Sequence, residues 1–259
     1  MIWFFRGTFI LAWRDLKSYL HGAGFYVIAA FFSAIIGWAY ISRLFDFIRM
    51  SGQMAQMGRS DNMNLHSTVM MSLMAQVHLI LFFAIPFITM WLLAEEKRTR
   101  SFDLLMTSPL SSTQIVIAKI MAGFGAALVL VLISLVYPFF TSLISDVQWA
   151  PLFTSYLGLL LLMATYVAIG VFSSSLTQSS ILACFMAFVL SLSLWFVAWA
   201  GNVVEGMTAQ NIVHHISVAN HFSQFSKGVV ETKGIVFHLS LIFLFGFLTQ
   251  RVIEVARWR

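Results

Sequence analysis

The sequence predicts an all-α integral membrane protein with six transmembrane helices, an N-terminal amphipathic interfacial helix and a short helix in the loop between spans two and three. Three observations predict it: composition, the lengths of the apolar runs and the placement of the few charges. Hydrophobic residues make up 60% of the 259 residues and charged residues only 10%, against about 25% charged in a soluble domain. The 26 phenylalanines and eight tryptophans suit a surface that faces lipid and the headgroup layer, where aromatic rings settle. A net charge of +5 then speaks to membrane orientation and not to nucleic acid. The single cysteine, Cys184, has no internal disulfide partner and reads as a small hydrophobe in an apolar run.

At the N-terminus, Ile2, Phe5, Phe9, Trp13, Leu16 and Leu20 recur at spacings of three and four, while Arg6, Arg14 and Lys17 lie off that stripe. This is the pattern of a helix lying in the membrane surface. Arg6 interrupts the first apolar run and no small-residue cleavage site follows, so a cleaved signal is not expected. Apolar runs of about 20 residues then fall at Phe25 to Ser42, Val77 to Ala94, Ile115 to Phe139, Leu152 to Phe172, Ser180 to Ala200 and Gly234 to Val252. Between the fourth and fifth, FSSSLTQSS supplies the only turn. Pro86 and Pro138 should kink or end their helices, because proline lacks the amide donor and crowds the preceding turn. The segments Arg43 to Gln76 and Gly201 to Lys233 are polar enough to be wet and too short for separate domains, so residues 1–259 form one domain.

Lysine and arginine set the orientation. With the N-terminus inside, Arg6, Arg14, Lys17, Lys97, Arg98, Arg100, Lys119, Arg251, Arg257 and Arg259 face the cytoplasm, and Arg43, Arg49, Arg59, Lys227 and Lys233 face out. Both termini are therefore expected in the cytoplasm. The stretch AEEKRTRSFDLLMTSPLSSTQIVIAK, Ala94 to Lys119, becomes the first cytoplasmic loop. It opens with charges where span two should meet water. Phe102, Leu105 and Met106 then share one face of a helix too short to span, and this face needs a cover. Ser108-Pro109 breaks that helix, since the residue before proline is driven from helical geometry. Ser111 to Gln114 reads S-x-x-Q, a capping box for the helix that becomes span three.

On these residues the chain resembles the permease subunits of ABC-2 type exporters, in which a span ends in a pair of glutamates and a basic residue, followed by a short apolar helix, a T/S-x-P-L break and a helix ending in small residue-Lys. SVANHFSQFSKGVVETKGIVFHLSLIFLFGFLT, Ser217 to Thr249, resembles the gliding-motility-type permeases within that family. One departure is Arg100-Ser101, where relatives often carry glycine, which puts the start of the loop helix in doubt. The resemblance implies a permease that forms the translocation pathway, works as a homodimer or beside a second permease, and docks two copies of a cytoplasmic ATPase in the bacterial inner membrane. It also allows an auxiliary subunit with a periplasmic domain. Coupling would fall to Glu95, Glu96, Arg98, Phe102, Leu105 and Pro109, with Phe102 and Leu105 burying apolar area on the ATPase, and the interfacial helix would act through Phe9, Trp13, Arg14 and Lys17. ATP and Mg would be bound by the partner, with no cofactor on this chain. Consistently, no G-x-x-x-x-G-K-[ST] phosphate loop and no Gly-Lys dipeptide occur.

Two other classes compete. An ion-coupled secondary transporter usually carries ionisable groups within its spans, and the middles of these six lack Asp, Glu, Lys and Arg; His78 and His238 read as interfacial or packing residues near the outer ends. A membrane-embedded structural or anchor subunit remains the other alternative. His214, His215 and His221 do not make a metal site, since neighbouring histidines point apart and no H-E-x-x-H or nearby cysteine completes one. For the segment Val203 to Glu231 the resemblance implies an outer gate or an accessory contact, with His221, Phe222 and Phe225 as the candidates, beside an equal reading as a plain interfacial loop. Serines such as those of SSSLTQSS serve as a polar turn and as packing contacts.

Overall fold

The structure, a computed structural model, describes residues 2–56, 66–143, 145, 148–200 and 217–257. Arg59, Ile212, His214, His215, Ile216 and Arg259 lie outside the described residues, as do the side chains of Ile2 and Phe5. Among the described residues there is no strand. The helices are α1 (Ile2–His21), α2 (Ala23–Gln56), α3 (Met71–Thr89, led in by a π-helical turn His66–Met70), α4 (Trp91–Arg98), α5 (Ser101–Thr107), α6 (Ser112–Ser134), α7 (Val136–Ser142), α8 (Trp149–Leu176), α9 (Ser180–Ala200), α10 (Val218–Ser226) and α11 (Thr232–Arg257).

Among the described residues, six helical stretches are long and apolar enough to cross a membrane: Ala23–Met54, Thr68–Arg98, Ser112–Ser142, Trp149–Leu176, Ser180–Val197 and Thr232–Arg257. Each contains or overlaps one expected span. The segment expected to be a wet loop from Arg43 is instead largely helical, because α2 continues to Gln56 and helix resumes at His66. At 1.5 Å per residue α2 is about 50 Å long, well beyond a hydrocarbon core of about 30 Å.

Burial separates the spans into two groups. Of the most apolar stretches of the second, third and fourth spans, 67, 56 and 72% is buried inside the protein, against 22, 17 and 11% for the first, fifth and sixth. The inner three meet where side chains vanish. A Cβ on Gly170 of α8 would lie 2.6 Å from Thr89 Cβ, and one on Gly123 of α6 would lie 3.0 Å from Val167 and 3.1 Å from Leu92. Small residues at such crossings let backbones approach in the absence of a hydrophobic drive between helices in lipid. Both prolines lie inside helices, Pro86 in α3 and Pro138 in α7, and each span has one short break nearby. Span two is interrupted at Met90, whose N–H bonds the Pro86 carbonyl at 3.0 Å. Span three is interrupted at Leu135, just before Pro138.

Two ends can be told apart. The α4–α5–α6 connection, the α8–α9 turn and both ends of the described chain gather at one, the charged end: Arg257 donates to the carbonyls of Met106 and Leu110 at 3.1 and 3.4 Å, and α1 packs along α6. At the other, α10 is inserted between α8, α9 and α11. Ser217 caps its start, accepting from the Asn220 N–H at 3.2 Å. Thr154 and Ser155 donate to the Phe225 carbonyl at its last turn.

Candidate functional site

The site is built where span two leaves the bundle. After the break at Met90, the first N–H groups of α4 need acceptors, and a serine on another helix supplies one. Ser174 Oγ accepts from the Leu93 and Ala94 N–H groups at 3.0 and 2.9 Å and donates to the Met90 carbonyl at 3.1 Å. The serine run of span four, expected as turn and packing residues, thus fixes the direction in which the charges emerge. Lys97 is drawn back as well: its ammonium donates to the Ser175 carbonyl and stands 5.2 Å from the centre of the Phe102 ring.

Beyond Thr99 the chain turns through Arg100, whose φ of 58° is left-handed, and α5 begins at Ser101. This resolves the doubt over the start of the loop helix: arginine takes the conformation that glycine adopts without strain. The helix ends as expected, with Ser108 extended before the exposed Pro109. The capping box is formed in both directions. Ser111 Oγ accepts from the Gln114 N–H at 3.3 Å, and Gln114 Oε1 accepts from the Ser111 N–H at 2.7 Å.

The orientation of α5 corrects the sequence reading. Phe102 and Leu105 are each 7% exposed and belong to the protein's own core, while Leu104 is 75% exposed. The apolar face does have a cover, and the cover is this chain.

The glutamates lead to a cluster that links three elements. Lys119 Nζ on α6 lies 2.8 Å from Asp15 Oδ2 on α1 and 2.7 Å from Glu96 Oε1 on α4. Arg14 Nη2 lies 2.8 Å from Asp15 Oδ1 and 3.1 Å from the same Glu96 oxygen. Lys119 is 2% exposed and Arg14 58%, so one cation is enclosed and the other covers the mouth. Two carboxylates and two cations balance, which makes burial tolerable. Glu95 stands apart, paired with Arg98 at 2.5 Å and accepting from Ser180 Oγ at 3.4 Å. Lys17 is exposed and outside the cluster, and Phe9 and Trp13 are exposed on α1, the side expected to meet lipid.

Asp15 and Lys119 were not read as site residues. Their signal was present: a lone lysine inside an apolar helix, and a lone acid among the cations of α1. Between α1 on one side and α4, α5 and Leu110 on the other runs a groove of about 900 Å³, against which the Tyr19 hydroxyl is buried. Burial, and then the carboxylates of Asp15, Glu96 and Glu95, push the Tyr19 pKa well above its usual value, so it keeps its proton.

The residues expected to form an outer gate or an accessory contact face inward. His221, Phe222 and Phe225 are all buried. Phe225 fills space left by glycines, with a Cβ on Gly158 falling 2.5 Å from its own Cβ and one on Gly234 falling 3.0 Å from its ring. Phe222 packs on His78, their rings 4.8 Å apart. Of the two readings of His78 and His238, packing is the one their contacts match: His78 lies 3.1 Å from the Tyr166 hydroxyl and His238 Nδ1 lies 3.0 Å from Thr165 Oγ1, both partners on α8.

In comparisons with known proteins, the family described as ABC-2 family transporter protein matches residues 9–248. No curated protein matches the chain.

Proposed function

The chain belongs to the ABC-2 family of transporter proteins, and on that premise we propose that it is the permease subunit of an ATP-binding cassette exporter, coupled at its charged end to a separate cytoplasmic ATPase. Ten of the fifteen Lys and Arg residues are assigned to that end, which makes it cytoplasmic by the positive-inside rule. The subunit works as a dimer or beside a second permease, so that two ATPase copies are engaged, in a bacterial inner membrane; the Ser217 to Thr249 stretch favours the gliding-motility type.

One observation carries this reading. A seven-residue helix, held from behind by Phe102 and Leu105, presents Asp103 and Leu104 outward beside ion pairs that join α1, span two and span three. A displacement of α5 would reach these pairs through α4, against which α5 packs and which carries Glu96. Leu104 replaces Phe102 and Leu105 as the apolar anchor, with Arg98, Arg100 and Pro109 as further contacts of the same loop; Glu95 and Glu96 position the loop.

The test separates docking from folding. Truncating an apolar anchor commonly costs about 2 kcal/mol or more of binding. Leu104→Ala is expected to lower ATPase copurification and transport-coupled hydrolysis while leaving thermal unfolding of the permease unchanged; Phe102→Ala is expected to lower the unfolding temperature itself. The isolated chain is expected to hydrolyse no ATP. Normal assembly and hydrolysis with both Leu104→Ala and Leu104→Lys would remove α5 as the docking element. The ion-coupled alternative gains one foothold, the buried His78 and His238. It predicts uptake or efflux in ATP-free vesicles driven by a proton gradient alone, and the exporter reading predicts none.

A further inference from the structure

We propose that the exposed side of α1 is a docking surface for anionic phospholipids, with one headgroup held at Arg6 and a second at Lys17. This goes beyond coupling to an ATPase and does not depend on it. Arg6, Phe9, Ile10, Trp13 and Lys17 are all exposed, the three apolar side chains at 59, 60 and 58%, and at 3.6 residues per turn they share one side of the helix. The one acid of α1, Asp15, lies about two and a half turns from Arg6, on the opposite side. It is enclosed there and spent on Lys119 Nζ at 2.8 Å. The exposed side therefore carries positive charge and no negative charge.

Most other cations of the charged end are already engaged. Arg14 and Lys119 belong to the buried cluster, Arg98 pairs with Glu95 and Arg251 with Glu254, and Lys97 and Arg257 donate to backbone carbonyls. Arg6 and Lys17 stand in no ion pair among the described residues, and they share their side of the helix with exposed aromatic rings. Aromatic rings settle at headgroup depth, and the long stems of Arg and Lys lie along apolar surface while their heads reach outward, here to lipid phosphates. A zwitterionic lipid brings a cation of its own that competes for its phosphate, whereas an anionic lipid brings the net charge this side lacks. Arg6 and Lys17 are 11 positions apart, about 16 Å along the helix. That is about twice the screening length at physiological salt, so each cation acts on its own lipid. An acidic partner protein would meet the two cations, but Phe9, Ile10 and Trp13 between them also need an apolar cover, which the acyl boundary of a bilayer supplies.

The experiment is native mass spectrometry of the purified full chain, alone and with its ATPase, in micelles doped with equal amounts of phosphatidylglycerol and phosphatidylcholine. Wild type is expected to favour the glycerol lipid in its first two adducts, by about five-fold for each. Arg6→Gln and Lys17→Gln are each expected to leave one such adduct, and the double variant none. Both side chains are exposed, so thermal unfolding of the double variant in lipid-free detergent is expected to match wild type. Trp13→Ala is expected to lower retention of both lipids alike, because the ring has no charge preference. Arg251→Gln, whose cation is already paired, is expected to leave the preference as it is. Equal retention of the two lipids by wild type, or a preference undiminished in the double variant, overturns the proposal. Loss of the preference on adding the ATPase also overturns it, because the occupant is then an acidic surface of that partner. Docking of the ATPase is read separately by Leu104→Ala.

Discussion

Two of the buried polar clusters among the described residues are made of opposite materials. At the charged end Asp15, Glu96, Lys119 and Arg14 join α1, α4 and α6 by ion pairs of 2.7 to 3.1 Å. Deeper in the bundle, α3, α8 and α11 are joined by neutral groups: His78 to Tyr166 at 3.1 Å and Thr165 to His238 at 3.0 Å. The charged cluster sits where one of its members, Arg14, reaches water; the neutral one is enclosed. Ionised groups far from water are too costly to keep, and hydrogen bonds within the membrane are individually weak because alternative partners are always near. The charged end is tied together by pairs of which each enclosed charge, if removed, strands its partner, whereas the neutral cluster joins its helices by single hydrogen bonds.

The sharpest break of this comparison is Lys119→Met. It leaves Asp15 and Glu96 facing each other with only the exposed Arg14, and losing one partner of a buried pair costs about 3–5 kcal/mol. Thermal unfolding in detergent is expected to drop accordingly, and combining the change with Asp15→Asn and Glu96→Gln is expected to restore most of it. An unshifted unfolding temperature for Lys119→Met means the cluster is solvated and does not tie the charged end together.

A smaller loss is expected between the clusters, where α3 and α8 touch. In Gly170→Ala the new methyl meets Thr89 Cβ at 2.6 Å, a backbone-proximal atom that cannot swing away, and overpacking costs about 1–3 kcal/mol. Gly52→Ala, with nothing within 4 Å, is the control. If the two variants unfold together, the inner spans are not held at contact distance.

For the neutral cluster the expected losses are smaller again. Tyr166→Phe removes the contact with His78, and Thr165→Val removes both the contact with His238 and the bond to the Leu161 carbonyl of its own helix, with little volume lost, at about 0.6 kcal/mol per interhelical bond and not above about 1.7. Reversible unfolding in mixed micelles resolves this. A loss as large as that of Lys119→Met for either variant erases the distinction between the clusters.

How much of this was legible follows the range of the interaction. The capping box of Ser111 and Gln114, the break at Ser108-Pro109 and the six apolar runs are local patterns, and each lies where the sequence places it. Phe102, Leu105 and Met106 share a face by spacing alone, but spacing does not say whether that face looks in or out; the tertiary fold turned it in. The inward face of α10 was likewise hidden, because the evidence for it lay in Gly158 and Gly234, glycines on other helices that make room for Phe225. Asp15 and Lys119 are far apart in the chain, and no periodicity joins them.

The finest distinction lies at Arg100, a charged residue of the charged end that appears in none of its ion pairs among the described residues. Its contribution is conformational: at φ 58° and ψ 11° it makes the turn that starts α5. An L-residue in that region costs about 1–2 kcal/mol, and glycine escapes the cost while surrendering part of the gain through a freer unfolded chain. Arg100→Gly is therefore expected to stabilise the chain by less than about 1 kcal/mol, Arg100→Asn to match the wild type or exceed it slightly, and Arg100→Val to fall below it, since a β-branched side chain resists positive φ most. Chemical unfolding of the three variants gives the order. Should valine prove as stable as glycine, the turn is not fixed by backbone geometry, and the exposed face of α5 would have to be oriented by Phe102 and Leu105 alone.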